Sequence, residues 1–74
     1  MKNDANLIGR KIARLRYQKG WTQTTLVAKL QILGSNMTRD ILANIELRRC
    51  VATDRHCGLL AKAFGVDINE LFQP

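Results

Sequence analysis

The sequence predicts an all-α domain of five short helices, on three observations. Apolar residues recur at helical spacing and nowhere alternate as a strand would require. Three threonines, Thr22, Thr38 and Thr53, each stand just before such a stretch. There a hydroxyl can accept from a free backbone N–H of the first turn. Gly20 and Gly65 stand just after two of the stretches, where a left-handed residue ends a helix.

A chain of 74 residues makes one domain, 1–74, with residues 1–5 expected to fray. A chain this short buries only about 60% of its unfolded surface, which argues against a large internal ligand cavity. With 46% hydrophobic residues and one proline it is built to fold rather than stay disordered. Twelve Lys and Arg against six Asp and Glu give a formal charge of +6. A small basic domain suits a polyanion, nucleic acid before an acidic membrane surface. No apolar run reaches membrane-spanning length and no signal-peptide core follows Met1-Lys2-Asn3-Asp4, so a cytoplasmic protein without a membrane partner is expected. Cys50, Cys57 and His56 supply too few ligands at the wrong spacing for zinc. Reduced structural thiols, no metal and no cofactor are expected.

Taken in order, the first helix has Asn6 as its expected cap. Ile8, Ile12 and Leu15 face the core, and Arg10, Lys11, Arg14, Tyr17 and Lys19 fall mostly on the remaining surface. Gly20 ends it. The second helix has Thr22 as cap, with Trp21 before it and Leu26 after it forming a hydrophobic staple. Its first turn, Gln23, Thr24 and Thr25, is polar and uncharged. Free N–H donors there make an anion site suited to a DNA phosphate. Gln31 to Asn36 is expected to connect helices two and three, with Ile32 and Leu33 tucked inward.

Helix three, about Thr38–Leu47, carries the main functional expectation. Met37 and Leu42 staple its start. At about 100° per residue, Ile41, Leu42 and Ile45 share one face. Arg39, Asp40, Ala43, Asn44 and Leu47 share the other, with Glu46 on the border. Arg can read guanine and Asn adenine by paired hydrogen bonds, so this outer face suits the major groove. Arg48 and Arg49 follow directly and are placed for phosphates or for the helix dipole. Thr53 and Asp54 open helix four, whose Cys57, Leu60, Ala61 and Phe64 share a side. His56 and Cys57 are helix neighbours about 100° apart, which does not make a nucleophile–base pair. A fifth helix is expected at Asp67, with Asp67 and Glu70 as a capping box and Val66 with Leu71 as a staple. Its Ile68, Leu71 and Phe72 either close the core or meet another subunit.

The residues also resemble a family. Ile8-Gly9-Arg10-Lys11-Ile12-Ala13-Arg14-Leu15-Arg16, then Lys19-Gly20-Trp21-Thr22-Gln23, looks like the opening of the Cro and lambda-repressor-like (XRE-type) domains. Leu42-Ala43-Asn44-Ile45-Glu46 looks like the segment close to their recognition helix. Leu60 to Leu71 looks like their closing L-A-x-A-[LF]-x-V-x-x-x-x-L. The resemblance implies a lambda-repressor-like DNA-binding domain with a helix-turn-helix, in a variant with a longer turn. It implies that Gln23 binds a phosphate or a base edge, and that Thr38, Arg39, Asp40, Ala43 and Asn44 face the groove. It further implies that Arg48 and Arg49 clamp the backbone, and that Arg16 and Glu46 pair internally. The usual glycine two residues after the glutamate is Arg48 here.

The expected function is sequence-specific binding of double-stranded DNA as a small repressor-like regulator, working as a homodimer. The alternative is an antitoxin or adaptor whose main partner is another protein. An enzyme is not expected, because no nucleophile–base pair, metal set or phosphate loop is present.

Overall fold

The computed structural model describes residues 4–49 and 52–72, with side chains from Ile8 onward. The regular structure among these residues is all helical, with no strand. Four α-helices, α1 (Asp4–Lys19), α2 (Gln23–Ile32), α3 (Arg39–Glu46) and α4 (Asp54–Phe64), precede a 3₁₀ turn, Ile68–Phe72. The helix α1 packs against α3, α4 and the 3₁₀ turn, while α2 packs against α3 and α4. Between them lies one core. Ile8 and Ile12 of α1 meet Leu26 and Leu30 of α2, Leu42 and Ile45 of α3, and Leu60 and Phe64 of α4. Burying each such side chain contributes about 1.5–3 kcal/mol relative to leaving it in water.

The three threonines set the three later helix starts. Each hydroxyl oxygen accepts from the N–H three residues on, from Thr25, Ile41 and His56, at 3.1 Å in every case. The residues before two of them, Trp21 and Met37, fold back onto the core as the staples require.

Four sequence expectations need correction. Asn6 is not a cap, because α1 already runs from Asp4. Helix α2 does not stop before Gln31 but continues to Ile32, with Gly34 in the left-handed region at φ 95°. Ile32 and Leu33 do not tuck inward. Ile32 stands about 200° round the helix from Leu30, away from the core, and is 84% exposed. Met37 fills the core instead, and polar bonds hold the connection that delivers it. Ser35 Oγ accepts from the Met37 N–H at 3.0 Å, and the Gln31 side chain donates to the Met37 carbonyl at 3.1 Å. Finally, the fifth element is a 3₁₀ turn. The Asp67 carboxylate accepts from Asn69 N–H at 2.9 Å, two residues on, so the capping box expected with Glu70 does not form. Its Leu71 closes the core, while Ile68 and Phe72 stay partly exposed. The expectations for Met1 to Asn3 and for Cys50 lie outside the described residues.

Candidate nucleic-acid interface

The centre of the candidate site is a charged knot. Arg16, near the end of α1, donates from Nε to Glu46 Oε2 at 2.8 Å and from Nη2 to Glu46 Oε1 at 2.9 Å. This is the fork-to-fork geometry that arginine alone can make with a carboxylate. The two side chains are 8% and 6% exposed. The remaining arm, Nη1, donates to the Trp21 carbonyl at 3.0 Å. One guanidinium thus ties the end of α1, the entry to α2 and the end of α3. The hydrogen bond to Glu46 raises the already high Arg16 pKa, against the opposing effect of burial.

Gln23 belongs to the same knot. Its amide nitrogen donates to Glu46 Oε1 at 3.1 Å. Only one N–H and the amide oxygen remain for an outside partner. The resemblance implied a phosphate or base contact for Gln23. Its first partner in the structure is Glu46.

The rest of the first turn of α2 is open. Thr24 is exposed, and the turn carries no acidic residue, unlike α3 with Asp40 and α4 with Asp54. The first turn of α2 thus has no acid of its own at the positive end of the helix dipole, and the Glu46 carboxylate that Gln23 reaches is already held by Arg16. An open cleft of about 590 Å³ lies over this turn, lined by Thr22, Gln23 and Thr24 on one side and by Arg39, Tyr17 and Trp21 on others. Arg39, the first residue of α3, shares that cleft with the start of α2. Trp21 is fixed by stacking on Phe64, with centroids 5.6 Å apart and planes 12° from parallel, and Lys29 lies 4.6 Å from its ring centroid.

The outer face of α3 is as the periodicity predicts. Thr38, Arg39, Asp40, Asn44 and Leu47 are exposed and Ala43 is partly buried. Leu42 and Ile45 are buried. Arg48 and Arg49 are exposed directly after the helix. Arg48 has φ 61°, the one non-glycine residue among those described in the left-handed region.

No family model, no curated protein and no solved structure matches the chain.

The contacts of two residues escaped the sequence reading. Gly9 is buried where α1 crosses the end of α3. A Cβ there would collide with the Ile45 carbonyl oxygen and lie 3.1 Å from that of Glu46. An isolated glycine inside a helical pattern is the available signal for so close a crossing. Tyr17 is 72% exposed, with its ring centroid 4.6 Å from the Arg16 guanidinium carbon. Among the described residues no three His, Cys, Asp or Glu side chains gather as a metal site, and no helix is long and apolar enough to cross a membrane. Cys57 is buried, and desolvation, with a smaller contribution from Asp54, raises its thiol pKa. That keeps the thiol protonated and unreactive.

Proposed function

We propose that the chain is a sequence-specific DNA-binding regulator of the lambda-repressor-like type, with α2 and α3 as its helix-turn-helix. The observation that carries the reading is the cleft where the start of α2, with no acid in its first turn, meets Arg39, beside an exposed polar face on α3. Free N–H groups, a threonine hydroxyl and a guanidinium around one opening suit a phosphate. Arg39 is therefore assigned to the backbone, with Thr24. Asn44 is assigned to base reading, with Ala43 and Thr38 close against the groove and Asp40 available to a cytosine amine. Arg48 and Arg49 contact phosphates beyond the end of α3. The net charge of +6 supports the attraction. The partly exposed Ile68 and Phe72 offer apolar surface for pairing two copies on two half-sites.

The test is binding to a site selected from a randomised duplex library, compared with random duplex. Arg39→Ala is expected to weaken both alike and to lower the slope of log affinity against log salt by about 0.9. Asn44→Ala is expected to cost about 1–3 kcal/mol on the selected site and little on random DNA. The reverse pattern would exchange the two roles. No loss from either variant would remove α3 from the interface.

A further inference from the structure

A second opening, of about 520 Å³, lies along α1 and is lined by Arg10, Ala13, Arg14, Tyr17, Gln18 and Glu46. Most of the surface it exposes is apolar. Arg10 and Arg14 are exposed and four residues apart, so they stand on one face of α1, about 6 Å apart along its axis. The one carboxylate in the lining, Glu46, is already held by Arg16 and Gln23. An apolar opening beside two cations suits an apolar side chain flanked by carboxylates. The chain carries such a segment itself. The 3₁₀ turn leaves Phe72 43% exposed, with Asp67 and Glu70 exposed beside it. The Glu70 N–H donates to the Asp67 carbonyl at 2.9 Å, the bond of a 3₁₀ turn. Residues three apart eclipse there, so the two carboxylates share one edge, about 6 Å apart. Among the described residues neither acid pairs with a cation, and neither Arg10 nor Arg14 pairs with an acid. The turn is anchored in its own core by Leu71, and none of its residues lines the opening. A turn reaches the opening from a second copy.

We propose that the opening on α1 receives the 3₁₀ turn of a second copy of this chain, with Phe72 against its apolar lining and Asp67 and Glu70 on Arg10 and Arg14. The proposal rests on the reading above only in giving Phe72 to the pairing of copies, and it does not require DNA. It makes the contact one between two different patches, turn into opening, rather than turn against turn. The apolar fit supplies the attraction, since Phe72 leaves water on both counts. The charges set the register, because two carboxylates and two guanidiniums meet at matching spacing. They also answer a difficulty. Two copies of a chain with net charge +6 repel, so association needs a place where acid faces base. Two of the six acids of the sequence lie in this one turn. One aromatic side chain and two exposed ion pairs make a small contact of the weak, transient class.

The experiment is sedimentation equilibrium without DNA, up to about 1 mM protein, with thermal unfolding of each variant. The parent is expected to self-associate within that range. Arg10→Glu with Arg14→Glu should unfold like the parent, since both residues are exposed, and weaken association by more than about tenfold. That change lowers the net positive charge, so general repulsion alone predicts the opposite sign. Asp67→Lys with Glu70→Lys should weaken association as much, and Phe72→Ser should do so without any change of charge. Mixing the two charge-reversed proteins should restore association, because each then meets its complement. A single chain with all four reversals keeps the parent's net charge and should associate like the parent. A parent that stays monomeric overturns the proposal. So does a mixture that associates no better than its two components, or an Arg10→Glu, Arg14→Glu protein that associates like the parent. Duplex binding is measured separately on the parent and Arg39→Ala. A monomeric parent whose duplex affinity falls with Arg39→Ala loses this contact and keeps the DNA-binding reading. A parent that associates as expected but has no affinity for duplex DNA does the reverse.

Discussion

The ends of α1, α2 and α4 can be set beside the end of α3. All four close with the same pair of backbone hydrogen bonds. The longer bond runs from Trp21 to Arg16, from Ser35 to Leu30 and from Val66 to Ala61 at 3.0 Å, and from Arg49 to Asn44 at 2.8 Å. This Schellman closure places the residue after the cap in the left-handed region. In three helices that residue is Gly20, Gly34 or Gly65, at φ 72°, 95° and 73°. In α3 it is Arg48, at φ 61°. A side chain with a Cβ costs about 1 kcal/mol there. The comparison separates two ways of ending a helix. Three ends are stable by their own backbone. The end of α3 is held by what surrounds it, with α1 crossing tightly at Gly9 and Arg16 gripping Glu46. A left-handed cost accepted there leaves a guanidinium at the border of the candidate interface.

The most severe way to break this arrangement is Gly9→Ala. The new methyl would meet backbone oxygen rather than a flexible side chain, so α1 and α3 must part. A loss of about 3 kcal/mol or more is expected in denaturant unfolding. A variant as stable as the parent would show that the crossing relaxes freely. Next comes Glu46→Gln, which leaves Arg16 without its counter-charge. Deeply buried pairs lose about 3–5 kcal/mol on such a change. Arg16 and Glu46 each border an open cleft that water reaches, so about 2 kcal/mol is expected. A Glu46→Gln protein that melts with the parent would mean the pair contributes no net stability. The smallest effect has the opposite sign. Arg48→Gly should raise stability by about 1 kcal/mol, since glycine takes φ 61° without penalty. The same protein should bind duplex DNA more weakly, with a salt slope lower by about 0.9. A glycine variant that is stabilised and binds unchanged would strip Arg48 of its interface role. As a mirror control, Gly20→Ala should lose about 1 kcal/mol, because its left-handed φ lacks any compensating contact.

Local chemistry was the part most legible in the sequence. A threonine before an apolar-periodic run caps through its own side chain and the next turn, so Thr22, Thr38 and Thr53 could be read without knowing the fold. The two faces of α3 follow from the helical period for the same reason. Element ends were harder. Leu33-Gly34-Ser35 looks like the tail of a loop, yet the Schellman bond from Ser35 carries α2 through Ile32 and turns that side chain outward. Asp67 could cap the third residue of a helix or the second residue of a tighter turn, and the shorter option won. Long-range geometry was least legible. Arg16 and Glu46 lie 30 residues apart, and only the family resemblance linked them. Nothing local shows that Gln23 joins the pair or that Arg39 faces the start of α2. Both depend on how the Ser35–Met37 turn delivers α3, which is settled by Met37 filling the core.

Trp21 is the chain's only tryptophan, and its position makes it a built-in optical reporter. The indole stacks on Phe64, lies under the Lys29 ammonium and borders the cleft assigned to phosphate. Its emission senses both the cation beside it and the water at the cleft rim. A duplex entering the cleft should draw Lys29 away and shift that emission, whereas unfolding should separate the indole from Phe64 and shift it further to the red. Occupancy and folding are then two distinguishable signals from one unlabelled side chain.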